Sequence, residues 1–328
     1  MSIGASEMLV EQEAPTVDGV EVAPGEVTAR SPLALFWRRF RADRVAMVSA
    51  VFILVLIVIA IAAPLVVKIL GLQGPYVNDP NALDAFGSPS GPTGAHPFGV
   101  DQLGRDVFSR VIYGSRVSLE VGIFGTAIAM VIGTVMGLIA GFYRGWVDTI
   151  ISRLLDVFLA FPVLILGLGI GAACGVRGCA GGLIQPGLGT VIFIIALSSF
   201  TYIARIARGQ VLSLREKEFV EASRSLGASN RRIVFREILP NLVAPLIVYS
   251  SLLIPTNILF EAGLSFLGVG IRPPTSSWGQ MISDAAPTFN TAWWYMVFPG
   301  AALLLTVLAF NLVGDGLLDA LNPRGESR

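Results

Sequence analysis

Lysine is nearly absent from this chain. Among 328 residues only Lys68 and Lys217 occur, preceded by Val67 and Glu216, so no G-x-x-x-x-G-K-[ST] phosphate loop can be written. If ATP drives this protein, another chain hydrolyses it. Histidine occurs once, at His96, which excludes an H-E-x-x-H zinc protease. Charge is scarce too: 14% of residues are charged, against about 25% in an ordinary soluble domain. Lys+Arg 23 balances Asp+Glu 23, so only the placement of charge informs. These shortages exclude a disordered chain and a nucleic-acid binder, and they argue against a water-soluble enzyme. What is abundant is apolar: 54% hydrophobic residues, mean hydropathy +0.72, with Gly 36 and Pro 19. Glycine and proline at that level suit membrane helices. The composition is that of an integral, all-α membrane protein.

A bilayer core of roughly 30 Å needs about 20 apolar residues as helix. Six runs qualify: 46–67, 118–140, 149–171, 188–204, 242–263 and 294–314. The fifth holds Pro245 and Pro255, which predict a kink or neighbours that satisfy freed carbonyls. The first run carries Ala60-Ile61-Ala62, similar to a signal-peptidase site, but it is too long for a signal peptide and follows a long extension.

Basic residues set the direction. Arg30, Arg38, Arg39, Arg41 and Arg44 precede the first run, and Arg144 and Arg153 flank the turn between the second and third. Arg205, Arg208, Arg215, Lys217, Arg224, Arg231, Arg232 and Arg236 fill the connection between the fourth and fifth, and Arg324 and Arg328 end the chain. The opposite side has only Lys68, Arg105, Arg110, Arg116, Arg177 and Arg272. Both termini are expected in the cytoplasm. Phe142, Tyr143 and Trp146 on one side, and Trp293, Trp294 and Tyr295 on the other, are placed for interfacial belts.

Residues 1–30 carry Glu7, Glu11, Glu13, Asp18, Glu21 and Glu26 without an apolar period, which predicts a disordered acidic tail, either regulatory or a plain solvated extension. Ser31-Pro32 then opens a helix over 31–44 with Leu33, Phe36, Trp37 and Phe40 on one face. It reads as an amphipathic interfacial helix; the alternative is a continuation of the first run. The connection 71–117 is rich in turns and faces outward, either as a docking surface for a delivery protein or as a cap over the bundle. Cys174 and Cys179, in the outer turn after the third run, are near enough for a disulfide, which the spacing leaves open. Two thiols without neighbouring His or carboxylate are too few for a metal.

The connection 207–241 is the most informative segment. Ser213-Leu214-Arg215-Glu216 reads as a capping box, predicting a helix from Leu214 to about Leu226. Gly227 suits a left-handed C-cap, Ser229 a second N-cap, and Pro240 a stop after Ile238. Ala222, Ser223, Ser225, Gly227 and Ala228 form a small-residue patch able to sit closely in a groove on another protein.

Glu221-Ala222-Ser223, Gly227 and Ile238-Leu239-Pro240 resemble the E-A-A---G---------I-x-L-P loop of ABC-transporter permeases, with Ser223 in place of the second Ala. Further stretches resemble the C-type permeases of the dipeptide/oligopeptide branch: His96-Pro97-Phe98-Gly99-Val100-Asp101, Leu103 to Arg110, Asp156 to Pro162, Val211 to Glu216, Glu261 to Gly268, Pro273-Pro274 with Ser277-Trp278-Gly279, and Phe310 to Gly316. The likeness covers roughly residues 33–325. It implies a six-span type I importer permease domain over 45–320, with a coupling loop at 207–241 and a short tail at 321–328. This subunit would be non-catalytic and would bind no cofactor of its own. The implied partners are a B-type permease, two ATPase subunits that carry ATP and Mg, an extracytoplasmic peptide-binding protein and membrane lipid. The implied coupling residues are Glu221, Ala222, Ser223, Arg224, Gly227 and Arg215. Glu221 would make a polar contact with the ATPase, Ala222 and Gly227 would allow close approach, and Arg224 and Arg215 would serve in ion pairs. The acidic tail and the Cys174–Cys179 turn depart from the family pattern.

Within the runs, Arg153 and Asp156 are spaced for an ion pair. Asn257 and Glu261 share a helical face, to line a translocation path or to hydrogen-bond between helices. Asp315 and Asp319 lie at the inner end of the sixth run. Nickel, opines or glycosides replace peptides in some members of the family. A secondary transporter or channel is the rival of another class, but no internal repeat is visible; nor is there the paired Asp or Ser/His of an intramembrane protease.

Overall fold

The computed structural model describes residues 32–175 and 178–321. The acidic tail 1–30, the Ser31 cap and the tail 322–328 lie outside the described residues. Among the described residues five helices are long and apolar enough to cross a membrane, and a bent pair makes a sixth crossing if taken as one span.

Helix α1 (Pro32–Ala42) is separate from α2 (Arg44–Ile61), because Asp43 leaves helical geometry and its carboxylate accepts from Val45 N and Ala46 N at 2.9 and 3.1 Å. A single uninterrupted helix is thereby excluded. Phe40 packs inward against Ala46 and Ala320. Trp37 stays exposed beneath the Arg41 guanidinium. The first apolar run is two helices, α2 and the short α3 (Ala63–Ile69), with the break at Ala62 just before Pro64.

Helix α4 (Val107–Tyr143) has 37 residues, about 55 Å at 1.5 Å per residue, and so overshoots the apolar core. Its partner is α7 (Leu188–Leu214). Gly133, Gly137 and Gly141, four residues apart, let the two backbones meet. A Cβ at Gly137 would stand 2.5 Å from the Ala204 carbonyl oxygen, and one at Gly141 2.8 Å from Val211 Cβ. Van der Waals packing of this kind is what associates helices where lipid is as apolar as leucine.

The third run is not one continuous helix. It forms α5 (Gly145–Ala160) and α6 (Val163–Cys174), bent by 84°. Phe161 is extended (φ −83°, ψ 129°), as the residue before a proline prefers, and Pro162 opens α6. Cys174 and Cys179 are joined as a disulfide, with Cα atoms 5.0 Å apart, closing the turn that leads to α7.

After α7 come α8 (Glu218–Ser225), α9 (Asn230–Arg232), a wide π turn (Ile233–Ile238) and α10 (Leu239–Phe266), the last three forming one 37-residue helix. Pro240 is therefore not a stop. The π turn shifts the ladder ahead of it, with the Leu239 amide reaching back to Val234 O, so a residue lacking an N–H is accommodated. A short helix, α11 (Trp278–Ala285), and α12 (Trp294–Leu321) complete the bundle. Trp294 and Tyr295 are not an outer lipid belt: they are 8% and 1% exposed, packed with Val107, Met281 and Ala285, and Trp294 Nε1 donates to Val100 O at 3.1 Å. The segment between α3 and α4 is thereby tied to the start of α12. Within that segment His96 Nδ1 lies 3.0 Å from Asp106, and Asp101 holds Arg105 at 2.6 Å.

Candidate coupling site

The expected capping box does not form. Ser213 lies inside α7, which runs on to Leu214 because Val211 is still buried against α4. Tertiary packing overrides the local capping signal. Glu216 turns instead to Arg144 at 2.7 Å. Lys217 takes the extended N-cap position of α8 without a side-chain cap, so the helix covers 218–225 rather than 214–226.

Helix α8 is moored at one point. Val220 is fully buried with Ile233, Val234 and Ile238 of the π turn. Around that anchor Glu221, Ala222 and Arg224 face solvent, and Ser223 is half-buried. The helix closes with a Schellman motif: Gly227 N donates to Arg224 O at 3.0 Å and Ala228 N to Ser223 O at 3.1 Å. Gly227 carries φ +77°, the left-handed geometry expected of it, and a Cβ there would meet nothing within 4 Å. Leu226 is 88% exposed and Phe219 39%, so the same face offers two apolar knobs. Ser229 accepts from Arg232 N at 3.4 Å at the start of α9.

Arg215 does not share that exposed face. It donates to the Phe142 carbonyl at 2.6 Å, and its Nε is 3.6 Å from Glu216. Burial lowers the affinity of this guanidinium for its proton, and the nearby Arg144 charge adds to the effect. Arg215 thus fastens the stem of the hairpin to α4.

Three cross-links brace α5 and its entry against α7 and its exit. Asp148 takes a two-pronged bond from Arg208, at 2.5 and 2.8 Å. Asp156 takes one from Arg205 at 2.6 Å, with Arg153 at 3.6 Å. Arg144–Glu216 is the third. The 153–156 pair is thus present, but Arg205 is the nearer partner. Asp148 and Arg208 are 60 residues apart, so no local spacing announces their pairing. Leu226 and Phe219 carry a weaker signal, apolar residues on an otherwise charged hairpin.

Asn257 and Glu261 lie on the buried face of α10. The Asn257 amide donates to Thr126 Oγ1, and its oxygen accepts from Ser199, both at 2.8 Å. Glu261 accepts from Ser265 at 2.7 Å, Ser277 at 2.8 Å and Ser118 at 3.4 Å. Each serine in turn accepts a backbone amide: Ile271 N, Gln280 N and Trp278 N respectively. One carboxyl thereby organises the entry to α11. Asp315 and Asp319 are exposed near the end of α12. Among the described residues no group of three or more metal-ligating side chains occurs.

The family described as binding-protein-dependent transport system inner membrane component matches residues 133–326, from the glycine face of α4 through the α8 hairpin and beyond the last helix. The chain belongs to that family. The N-terminal transmembrane domain of oligopeptide transport permease C matches residues 31–85. The chain is 41% identical over 300 residues to the glutathione transport system permease protein GsiD of Pectobacterium atrosepticum, covering 92% of this chain and 94% of that one. It is 40% identical over 302 residues to the dipeptide transport system permease protein DppC of Alkalihalophilus pseudofirmus, covering 92% and 93%. Among solved structures, the methionine ABC transporter MetNI in inward-facing conformations aligns with TM-score 0.54 at 21% identity, over 65% of this chain and 96% of that one, which shows a shared fold. This ABC importer permease is thus a multi-pass membrane protein, and α8 with its glycine cap lies within the stretch that the family match covers.

Proposed function

We propose that this permease forms half the translocation path of an ATP-driven importer of di- and oligopeptides. A second permease would supply the other half, two separate ATPase subunits the ATP and Mg, and an extracytoplasmic binding protein the peptide. The observation that carries the coupling role is α8: a short, rigidly capped helix standing out from the bundle on one buried residue, with Glu221, Ala222, Arg224 and Leu226 free to engage a partner. The absence of any P-loop sequence supports a partner that brings the nucleotide. The peptide class is supported by the names of the glutathione and dipeptide relatives. The clustering of arginine around α8 supports a cytoplasmic position for the hairpin and for both termini. ATP-driven closure of the ATPases moves α8, and the braces at Asp148, Asp156 and Arg144 carry that motion from α7 to α5. Asn257, which joins α10 to α4 and α7, and Glu261, which holds the entry to α11, support the bundle rather than line the path.

The deciding experiment is purification of the tagged permease followed by uptake of labelled dipeptides and glutathione into vesicles with the co-purifying subunits. An ATPase in the complex and ATP-dependent peptide uptake are expected. Transport by the permease alone would overturn the coupling reading. Uptake of nickel, an opine or a glycoside instead of peptide would overturn the substrate class.

A further inference from the structure

The two faces of α4 near its C-terminal end are used differently. Gly133, Gly137 and Gly141 meet α7, whereas Val131, Val135, Ile139 and Tyr143, on the opposite side, are exposed. That apolar stripe leads into a groove of about 370 Å³, walled by Val135, Leu138 and Ile139 of α4 and by Val234, Phe235 and Leu239 across from them. A second cavity of about 480 Å³ adjoins it, sharing Arg231 and Phe235 and adding Ser229, Arg232 and Arg236. The pair forms an apolar slot with a basic mouth.

The charge at that mouth is unspent. Arg144, Arg205, Arg208 and Arg215 on this side of the bundle each face a carboxylate. Arg231, Arg232 and Arg236 are exposed and form no ion pair among the described residues, although Glu237 lies in the same turn. Depth fits as well. The helix from Asn230 to Phe266 has 37 residues, about 55 Å against a hydrocarbon core of roughly 30 Å, so it overshoots that core by enough for its first two turns to reach headgroup level. Phe235 and Tyr143, both 59% exposed, flank the slot as aromatics do at a membrane boundary.

We propose that this slot binds an anionic phospholipid of the adjoining leaflet. Arg231, Arg232 and Arg236 hold the phosphate, and an acyl chain follows the Val135–Ile139 stripe. The site lies at the base of the coupling helix, since Val220 is anchored on the same turn. It rests on the membrane placement of the chain and not on the peptide substrate.

The test uses the full-length permease with its co-purifying subunits. Native mass spectrometry would measure retained phosphatidylglycerol against phosphatidylcholine, with inorganic phosphate as competitor. Wild type is expected to keep phosphatidylglycerol selectively, and millimolar phosphate should not displace it. The triple variant Arg231→Gln/Arg232→Gln/Arg236→Gln should weaken retention roughly a hundredfold, at about 1 kcal/mol per arginine. The corresponding triple Lys variant should retain most of it. Ile139→Trp, which fills the slot and leaves the arginines intact, should also lose the lipid. Undiminished retention in the Gln variant or in Ile139→Trp would overturn the proposal. So would displacement by phosphate, or a Gln variant that sheds the ATPase while keeping the lipid, which would make the patch a protein-docking surface.

Discussion

Gly227 offers a test in which two physical explanations give opposite orders. Its φ of +77° and the open space around it mean that a side chain there clashes with nothing in this chain. The intrachain cost is the left-handed backbone alone: of the order of 1 kcal/mol for Ala, less for Asn, and more for a β-branched residue. One kcal/mol shifts the closed-to-open ratio of the cap about fivefold. Opening it loses the bonds from Gly227 N and Ala228 N and frees the end of α8. Folding and membrane insertion should be untouched. The assay is peptide imported per ATP hydrolysed in vesicles containing the whole complex. If backbone geometry governs, coupling falls in the order Gly227→Asn, Gly227→Ala, Gly227→Val, with Asn closest to wild type. If close approach of a partner governs, Ala outperforms the larger Asn. Asn below Ala, or normal coupling in the Val variant, would refute the backbone account.

Replacing Asp148 by Asn should cost about 1–2 kcal/mol, a figure reduced for partial exposure of the pair, and the exchange Asp148→Arg/Arg208→Asp should restore part of it; thermal unfolding in detergent reads both. Gly137→Ala should lower the melting temperature despite the better helix propensity of alanine, because its Cβ would stand 2.5 Å from Ala204 O and force α4 from α7, at about 1–3 kcal/mol. At Glu261, Gln should be tolerated better than Ala: the amide oxygen still accepts from Ser265 and Ser277, whereas Ala strands three buried hydroxyls at about 1 kcal/mol or more each. Limited proteolysis of the α10–α11 connection would report the difference.

The six runs and the hairpin were legible because hydropathy and glycine geometry are local properties. Gly227 needed no knowledge of the fold, since only glycine occupies such a φ without cost. The prolines were not legible in the same way. Pro162 sits at an 84° break, whereas Pro245, Pro255 and Pro299 lie within continuous helices. The sequence shows the missing N–H in all four, but only packing decides whether neighbours hold the helix together around it. Ser213 departs from its local signal for a related reason. Its capping pattern is sound in isolation, but Val211 has a groove on α4 to fill, so α7 continues. The Asp148–Arg208 brace is invisible in the sequence because it depends on two helices meeting, and Trp294 and Tyr295 read as lipid anchors because their cover, from α11 and from a segment near Val100 some two hundred residues earlier, exists only in the fold.

The π turn between Arg232 and Leu239 adds one residue to what is otherwise an α-helix. Each residue of an α-helix advances about 100° around the axis. The wide turn absorbs that supernumerary residue, so the hairpin keeps the bearing it would have on a regular helix one residue shorter. Removing one amino acid from Ile233–Ile238 would let the ladder close normally with Glu221 and Leu226 aimed much as they are, whereas tightening the intact segment into α geometry would swing both by about a quarter of a circle.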